Sequence, residues 1–415
     1  MDRVILHSDL NNFYASVECF LNPSLRGQAV AVAGDQEMRH GIVLAKNSIA
    51  KAFGVMTGNT LWEARRKCPD IVFVKPHFEL YKKYSDIVRQ IYGEYTDQIE
   101  PFGLDECWLD VTGSKNLFGD GKTIANNIRE RIKTEIGITV SVGVSFNKIF
   151  AKLGSDMKKP DATTVIDRDN FREKVWRLPV SDLLYVGHKT ANKLKSYGIE
   201  TIGALASADP KLLMYLLGKN GIMLKEFACG KDNSPVLRFC DMSPVKSIGN
   251  STTTPRDLVS EEDIRITLYA LCESVSARMR RHGFICDTVQ VSIRDSDLYR
   301  FDRQAKLDTP NRTAKALFEK SMELYRRHHI HGKPVRSLGV RACGLSSDKD
   351  CQMSFLPEIE NLDREEKIES IMDSLRVKFG SSAMNRGICI TDAELSRIGP
   401  SEDEAVLPPA MRLSH

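Results

Sequence analysis

Long apolar runs are missing from this chain. No hydrophobic stretch approaches the ~18 residues that a membrane span needs, and the opening Met1-Asp-Arg-Val-Ile-Leu-His7 lacks the apolar region of a signal peptide. A cytoplasmic location with no membrane partner is therefore expected. Ten cysteines are scattered over 415 residues without one Cys-x-x-Cys pair, which points to reduced thiols and away from a disulfide framework or structural zinc. Repeats and low-complexity tracts are also absent, so solenoid and fibrous architectures are set aside. The chain has no large charge excess either, being +4 overall, but its charge is unevenly placed. Residues 346–415 hold 8 basic and 14 acidic side chains, which leaves +10 on residues 1–345. A basic body with an acidic tail is compatible with a polyanion partner, although a solvated basic surface gives the same count.

What is present is ordinary globular material, 42% hydrophobic and 27% charged, long enough for two to four domains. Against that background Phe102-Gly-Leu-Asp-Glu-Cys-Trp-Leu-Asp-Val111 stands out, because Asp105 and Glu106 interrupt what reads as a buried strand. An isolated Asp-Glu pair would read as a hairpin with its acids in water. Here both acids converge only if the backbone bends at Gly103, since adjacent strand residues point to opposite faces. Clustered carboxylates in a poorly solvated site need a cation, and oxygen ligands alone suit Mg²⁺. Asp9 is the natural third ligand, ending the apolar strand Val4-Ile-Leu6 just before a helix that Asn22-Pro23 stops. Phe13 and Tyr14 lie one short turn from it, either as core residues or as a floor under a sugar or base.

Residues 34–75 read as an insertion of short helices. The first runs from Ala45 to Phe53 and carries Lys46 and Lys51; the second opens at the capping box Thr60-Leu-Trp-Glu63 and closes at Pro69. A long helix follows with Leu80, Tyr84, Ile87, Ile91 and Tyr95 at helical spacing. After the carboxylate strand, Ile124, Ile128, Ile132 and Ile136 mark a helix face closed by Gly137. Thr139–Ser145 alternates as a strand and leads into a helix over Asn147–Asp156, where Lys148 and Lys152 share a face. The order over residues 1–167 fits a mixed α/β layer with helices on one side. Several lysines converging on a metal site is what a triphosphate requires, so metal-dependent phosphoryl or nucleotidyl transfer is expected.

Three motifs then carry a resemblance. Asp9-Leu-Asn-Asn-Phe-Tyr-Ala-Ser-Val-Glu18, Leu104-Asp105-Glu106, and Gly143-Val-Ser-Phe-Asn-Lys-Ile-Phe-Ala-Lys152 with Asp156-Met-Lys-Lys-Pro160 resemble the Y-family translesion DNA polymerases of the bacterial DNA polymerase IV type. They occur in the family's order and spacing, and the likeness extends over about residues 1–345. The resemblance implies an α/β and α+β multidomain right hand: palm at 1–33 and 75–167, small fingers at 34–74, helical thumb at 168–235, and a βαββαβ little finger at 241–345, followed by an acidic tail at 346–415.

It further implies a template-directed polymerase of low fidelity without proofreading, extending primer-template DNA with deoxynucleoside triphosphates, as a monomer. Asp9, Asp105 and Glu106 would hold two Mg²⁺ with the Leu10 carbonyl assisting, and Lys159 would bind phosphate. Tyr14 would be the steric gate that excludes a 2′-hydroxyl, with Phe13 supporting it. Where many members place a tyrosine and an arginine on the triphosphate, this chain has Ser48 and Lys51. Leu184–Leu194 resembles a helix-hairpin-helix gripping DNA phosphates through Gly187, Lys189 and Thr190, with Tyr185 replacing its usual first glycine. In the little finger, helices from Ser260 to His282 and from Thr309-Pro310 separate alternating strands, and Arg256, Arg294, Arg303, Arg336 and Arg341 are the candidates for DNA backbone contact. Gln352-Met353-Ser-Phe355-Leu356 resembles a sliding-clamp motif, the alternative being packing of the tail, and a helix is expected over Asp363–Lys378. Other functions compatible with such folds and acid clusters are an idle DNA-binding or regulatory protein, a nucleotidyl cyclase and a two-metal nuclease.

Overall fold

The computed structural model describes residues 3–34, 41–238, 244–329, 332–347, 358–380 and 383–396. The chain divides into two compact units, one built mainly from residues 1–33 and 43–243, the other mainly from 244–404. No described helix is long and apolar enough to cross a membrane.

In the first unit, β1 (Ile5–Leu10) runs through Asp9 and is followed by α1 (Phe13–Leu21), which Asn22 caps. The next segment is not all helical. β2 (Val30–Ala33), β3 (Val43–Lys46), α2 (Ser48–Ala52), α3 (Leu61–Lys67) and β4 (Val72–Val74) form a three-stranded sheet, order β3-β2-β4, with two short helices. Ala45 and Lys46, expected on a helix, pair in β3 with Val32 and Ala31. Four-residue strands are too short for periodicity to separate from helix, and the β-branched Val30, Val32, Val43, Val72 and Val74 favour the pleat. The capping box of Thr60 and Glu63 does open α3. A small core of Ala31, Val43, Ala50, Val55 and Ala64 holds this segment.

α4 (Phe78–Gly93), β5 (Ile99–Pro101), β6 (Glu106–Asp110), α5 (Lys115–Phe118), α6 (Gly121–Arg131), β7 (Val140–Ser145), α7 (Lys148–Met157) and β8 (Thr163–Ile166) complete a five-stranded sheet, order β5-β6-β1-β7-β8. Strand alternation sorts its side chains. Leu6, Leu10, Leu109, Val140, Val142 and Val144 join one core with Ile124, Ile128, Ile132 and Ile136. α4 buries Tyr81, Ser85, Val88 and Tyr92 along with Ile91, so its inner stripe lies one residue on from Leu80, Tyr84 and Ile87. The Tyr92 hydroxyl reaches Ser8 Oγ at 2.7 Å, a polar contact that helical spacing of apolar residues does not reveal.

The other sheet face carries His7, Asp9, Glu106, Trp108 and Gly143, and α7 lies on it. Helices therefore cover both faces, not one. Gly143 permits this close packing, because a Cβ there would stand 1.9 Å from the Ala151 carbonyl oxygen. Beyond β8, α8 (Phe171–Val175), α9 (His188–Lys195), α10 (Ile202–Ser207), α11 (Pro210–Leu217) and α12 (Lys219–Ala228) give the short-looped helical segment expected. Leu183, Leu194, Ile202, Leu205 and Leu213 share its core with Phe150 and Leu153 of α7.

The second unit runs β9 (Ser247–Leu258), α13 (Glu261–Arg281), β10 (Phe284–Asp295), β11 (Arg300–Asn311), α14 (Ala314–His328) and β12 (Val335–Ser347), the expected order. Its antiparallel sheet is β11-β10-β12-β9. Ser260 and Asp263 form a capping box at α13, which buries Ile264, Leu268, Leu271, Val275 and Met279. α14 starts later than Thr309-Pro310, with Thr313 as its cap. Pro310 belongs to β11 instead, an edge strand where a missing N–H is tolerated. α13 and α14 cover one face of the sheet.

α15 (Glu358–Phe379), α16 (Gly387–Ile390) and α17 (Ala393–Ser396) follow. The acidic tail is not separate from the second unit. Glu369 is buried, pairs with Arg280 and Arg386, and accepts from the Ala314 backbone N–H. Asp373 meets Arg280 at 2.7 Å and Arg376 meets Glu273 at 3.2 Å, so the tail docks through charge.

Candidate active site

Two strands bring the first two acids together. β1 and β6 are antiparallel with Asp9 directly opposite Glu106, so both side chains leave the sheet on the same face. The expected bend exists: residues 102–105 turn between β5 and β6, and the strand begins only at Glu106. The Arg89 guanidinium donates to the Gly103 carbonyl at 2.7 Å, and the Leu10 N–H donates to the Asp105 carbonyl at 2.9 Å. These bonds fix Asp105 beside the pair. Burial, then the charges of Glu106 and Asp9, push its carboxyl up to about 6.

α7 and the segment just past its end supply the counter-charge. Lys152 Nζ stands 3.1 Å from Asp9 and 3.0 Å from Glu106, and Lys159 Nζ stands 2.7 Å from Asp9 and 2.8 Å from Asp156. Burial opposes the charge of both ammoniums, but the surrounding carboxylates more than offset it and hold both pKa values above the usual range. Lys148 does not join them. It pairs with Glu100 at 2.6 Å over the Trp108 ring, because one helical turn carries it past the end of the cleft.

Among the described residues no three acid, His or Cys side chains already form a metal cage. The donor set nonetheless fits a hard divalent cation. It is oxygen-only, Glu106 Oε2 is buried without a hydrogen bond, and Asp105 is raised first by burial and then by repulsion from Glu106 and Asp9, both of which a bound cation would offset.

The acids open into a cleft of about 440 Å³ lined by Leu10, Phe13, Tyr14, Lys46, Ser48, Lys51 and Lys159 among others. Acids and lysines thus line the same cleft. Lys46 donates to Thr57 Oγ1 at 3.1 Å, and burial followed by the charges of Lys51 and Lys159 lowers its pKa. Phe13 is buried while Tyr14 is half-buried at the cleft. The Tyr14 ring stacks on Tyr81 with centroids 4.2 Å apart and planes 10° from parallel.

Sequence reasoning passed over His7, Glu18, Tyr81 and Asp156. Two had a legible signal: His7 alternates with Asp9 on β1, and Asp156 follows Lys152 by one helical turn. His7 is fully buried, with Nδ1 2.8 Å from Ser155 Oγ and Nε2 3.4 Å from Glu106. Burial, then Lys152, hold its pKa well below the usual range, so it is neutral.

The remaining candidates lie elsewhere. Gly187 caps α9, with open space where a side chain would project. Lys189 is exposed and Thr190 half-buried in its first turn. Tyr185 has φ +72°, the left-handed conformation that glycine adopts without strain, and a three-residue 3-10 turn, Val180–Asp182, precedes it.

In the second unit, Arg294 and Arg341 alternate with buried Ile293, Val340 and Ala342 and so sit on the sheet face away from the helices. Ser251, Thr253, Ser292, Ser337 and Gly339 share that face through the strand register. Arg303 does not. It pairs with Val291 and lies over Phe301 on the helix side, at the sheet edge. Arg256 is held by Asp263 at 2.8 Å and Asp392 at 2.9 Å, a partnership hidden by a 136-residue separation. Arg336 stands at the bulge between the Val335 and Ser337 pairings. Gln352, Met353, Phe355 and Leu356 lie outside the described residues.

Comparison with known proteins gives one consistent result. The impB/mucB/samB family model matches residues 8–156, and the model of that family's C-terminal domain matches residues 245–355. DNA polymerase IV of Acetivibrio thermocellus is 52% identical over 399 residues, covering 96% of this chain and 100% of the relative. DNA polymerase IV of Pelotomaculum thermopropionicum is 36% identical over 95% of this chain and 97% of its own length. DNA polymerase IV 2 of Bacillus subtilis is 37% identical over 94% and 96%. A solved Y-family DNA polymerase chimera is similar with a TM-score of 0.74 at 25% identity, covering 82% of this chain and 99% of its own.

Proposed function

The chain belongs to the impB/mucB/samB family of Y-family DNA polymerases, and from that premise we infer that its cleft performs template-directed nucleotidyl transfer. It is a DNA-directed DNA polymerase of the translesion class, with a divalent-metal requirement and a DNA template.

The observation that carries the chemistry is the cross-strand pair of Asp9 and Glu106, with Asp105 beside it and Lys46, Lys51 and Lys159 lining the same cleft. Asp9, Asp105 and Glu106, assisted by the Leu10 carbonyl, would hold two Mg²⁺, which supply activation of the primer 3′-hydroxyl and neutralisation of the leaving pyrophosphate. The chain's own side chains do the positioning. Lys159, Lys51 and Lys46 meet triphosphate oxygens, and Ser48 offers a short hydroxyl in place of a longer donor. Lys51 supplies charge without the bidentate fork of an arginine. The Tyr14 ring occupies the volume that a 2′-hydroxyl would need, with Phe13 behind it.

In this reading residues 1–33 and 75–167 are palm, 34–74 fingers, 168–235 thumb and 241–345 little finger, and the protein acts as a monomer. Gly187, Lys189 and Thr190 of the thumb grip DNA phosphates, and the polar sheet face bearing Arg294 and Arg341 lies against backbone. Affinity should then fall steeply with salt and vary little with duplex sequence. Salt-independent binding would overturn that assignment. For Gln352, Met353, Phe355 and Leu356, likeness to a short motif supports docking on a sliding clamp. Replacing Gln352, Phe355 and Leu356 with Ala should remove clamp-dependent stimulation and spare basal extension; a stimulation that survives refutes the docking.

The test of the function is extension of a labelled primer with each nucleotide supplied singly, on intact and damaged templates. Addition that follows the template base supports the reading. Primer shortening would indicate a nuclease, nucleotide conversion without DNA a cyclase, and binding without turnover an idle protein.

A further inference from the structure

The proposed gate ring of Tyr14 packs on a polar chain, Tyr81, Glu18 and His77, that lies outside the cleft lining. Tyr14 and Glu18 are one turn apart on α1, and His77 and Tyr81 are one turn apart at the start of α4, so each pair presents neighbouring side chains to the other helix. Tyr81 is fully buried. Its ring stacks on Tyr14, and its hydroxyl donates to Glu18 Oε1 at 2.5 Å. The same carboxylate oxygen lies 2.8 Å from His77 Nδ1. Phe78 closes the cluster, edge-on to both tyrosines at 6.0 and 5.9 Å.

Glu18 therefore has a reason to be buried, since its charge is met by two donors. Burial and the Glu18 carboxylate both push the Tyr81 hydroxyl above its usual pKa, so it remains a donor. A stacked ring alone slides easily over its neighbour; a stacked ring whose far end is pinned to a buried carboxylate does not.

We propose that Tyr81, pinned by Glu18, is a positioning residue for sugar selection, fixing the plane and depth of the Tyr14 ring against which the nucleotide sugar is read. The inference rests on Tyr14 being the gate. Tyr81 does not enter the cleft lining and acts only through Tyr14, so its loss should relax discrimination and not add a new contact.

The experiment measures kcat and KM for one ribonucleotide and its deoxyribonucleotide in single-nucleotide extension. The variants are Tyr14→Ala, Tyr81→Leu, Tyr81→Phe, Glu18→Gln and the double variant Tyr14→Ala with Tyr81→Leu. Tyr81→Leu should raise the ribonucleotide to deoxyribonucleotide ratio of kcat/KM by about 10-fold, chiefly through a lower ribonucleotide KM. Tyr81→Phe and Glu18→Gln keep the ring and should each raise it by about threefold, which keeps the test decisive if the leucine variant does not fold. The double variant should match Tyr14→Ala. A ratio that moves with Tyr14→Ala but with none of the Tyr81 or Glu18 variants overturns the inference, as does full additivity in the double variant. A ratio unmoved by Tyr14→Ala itself removes the gate reading instead.

Discussion

Asp9 and Glu106 face each other directly across the β1–β6 ladder. Two carboxylates in that register repel at close range unless a positive charge sits between them, and in this structure Lys152 bridges both. The site is therefore built around a charge balance that divalent cations would complete.

Sugar discrimination should depend on the volume of Tyr14. Tyr14→Ala should raise ribonucleotide incorporation relative to deoxyribonucleotide on the order of 100-fold or more, while Tyr14→Phe changes it little, because the ring and not the hydroxyl fills the space. Competition extension assays with both sugars read this directly. An unchanged ratio in the alanine variant would place the gate elsewhere.

Metal should stabilise the protein in a pH-dependent way. Asp105 titrates at about 6 in the folded state, against ~3.9 in an unfolded chain. Its raised pKa favours the metal-free fold below the unfolded value, and that contribution is lost as pH rises through about 6. Divalent ions bind the ionised carboxylate, so Mg²⁺ should raise Tm at about pH 7.5 and have little effect at about pH 5. Asp105→Asn should flatten the difference. An equal Mg²⁺ shift at both pH values would contradict the electrostatic account.

The C-terminal docking should be costly to break. Glu369 is 3% exposed and accepts from Arg280, Arg386, Ser276 and the Ala314 N–H. Glu369→Ala leaves Arg280 with Asp373 alone and the buried Ala314 N–H without its carboxylate acceptor, and should destabilise the second unit by ~1–3 kcal/mol. Denaturant unfolding would show it. A loss well below 1 kcal/mol, the range of exposed pairs, would mean that the helix is not docked as described.

The parts of this protein that sequence made legible are those governed by local rules. Period-2 alternation and the break at Gly103 placed Asp9, Asp105 and Glu106 near one another, and 3.6-residue spacing picked out the buried faces of α6 and α13. Short Val-rich strands such as β3 escaped because four residues carry too little pattern. The position of α7 on the second sheet face depends on Gly143, whose meaning appears only when the Ala151 carbonyl is seen against it. The docking of α15 escaped because it joins the ion pairs of Glu369, Asp373 and Arg376 to a single buried apolar residue among those described, Met372, which leaves no apolar stripe to read. Arg256 and Arg303 looked equivalent to Arg294 and Arg341 because strand face and ion pairing with Asp392 are tertiary facts.

The central claim is that Asp105 and Glu106 serve the chemistry and not DNA binding. Primer extension and DNA affinity, measured together on Asp105→Ala and Glu106→Ala, test it most directly. The account predicts that template-directed addition disappears in both variants while affinity for primer-template DNA changes by less than about threefold, since the proposed phosphate contacts are assigned to residues other than these acids. Extension that persists in either variant, or DNA affinity that collapses along with it, would contradict the account.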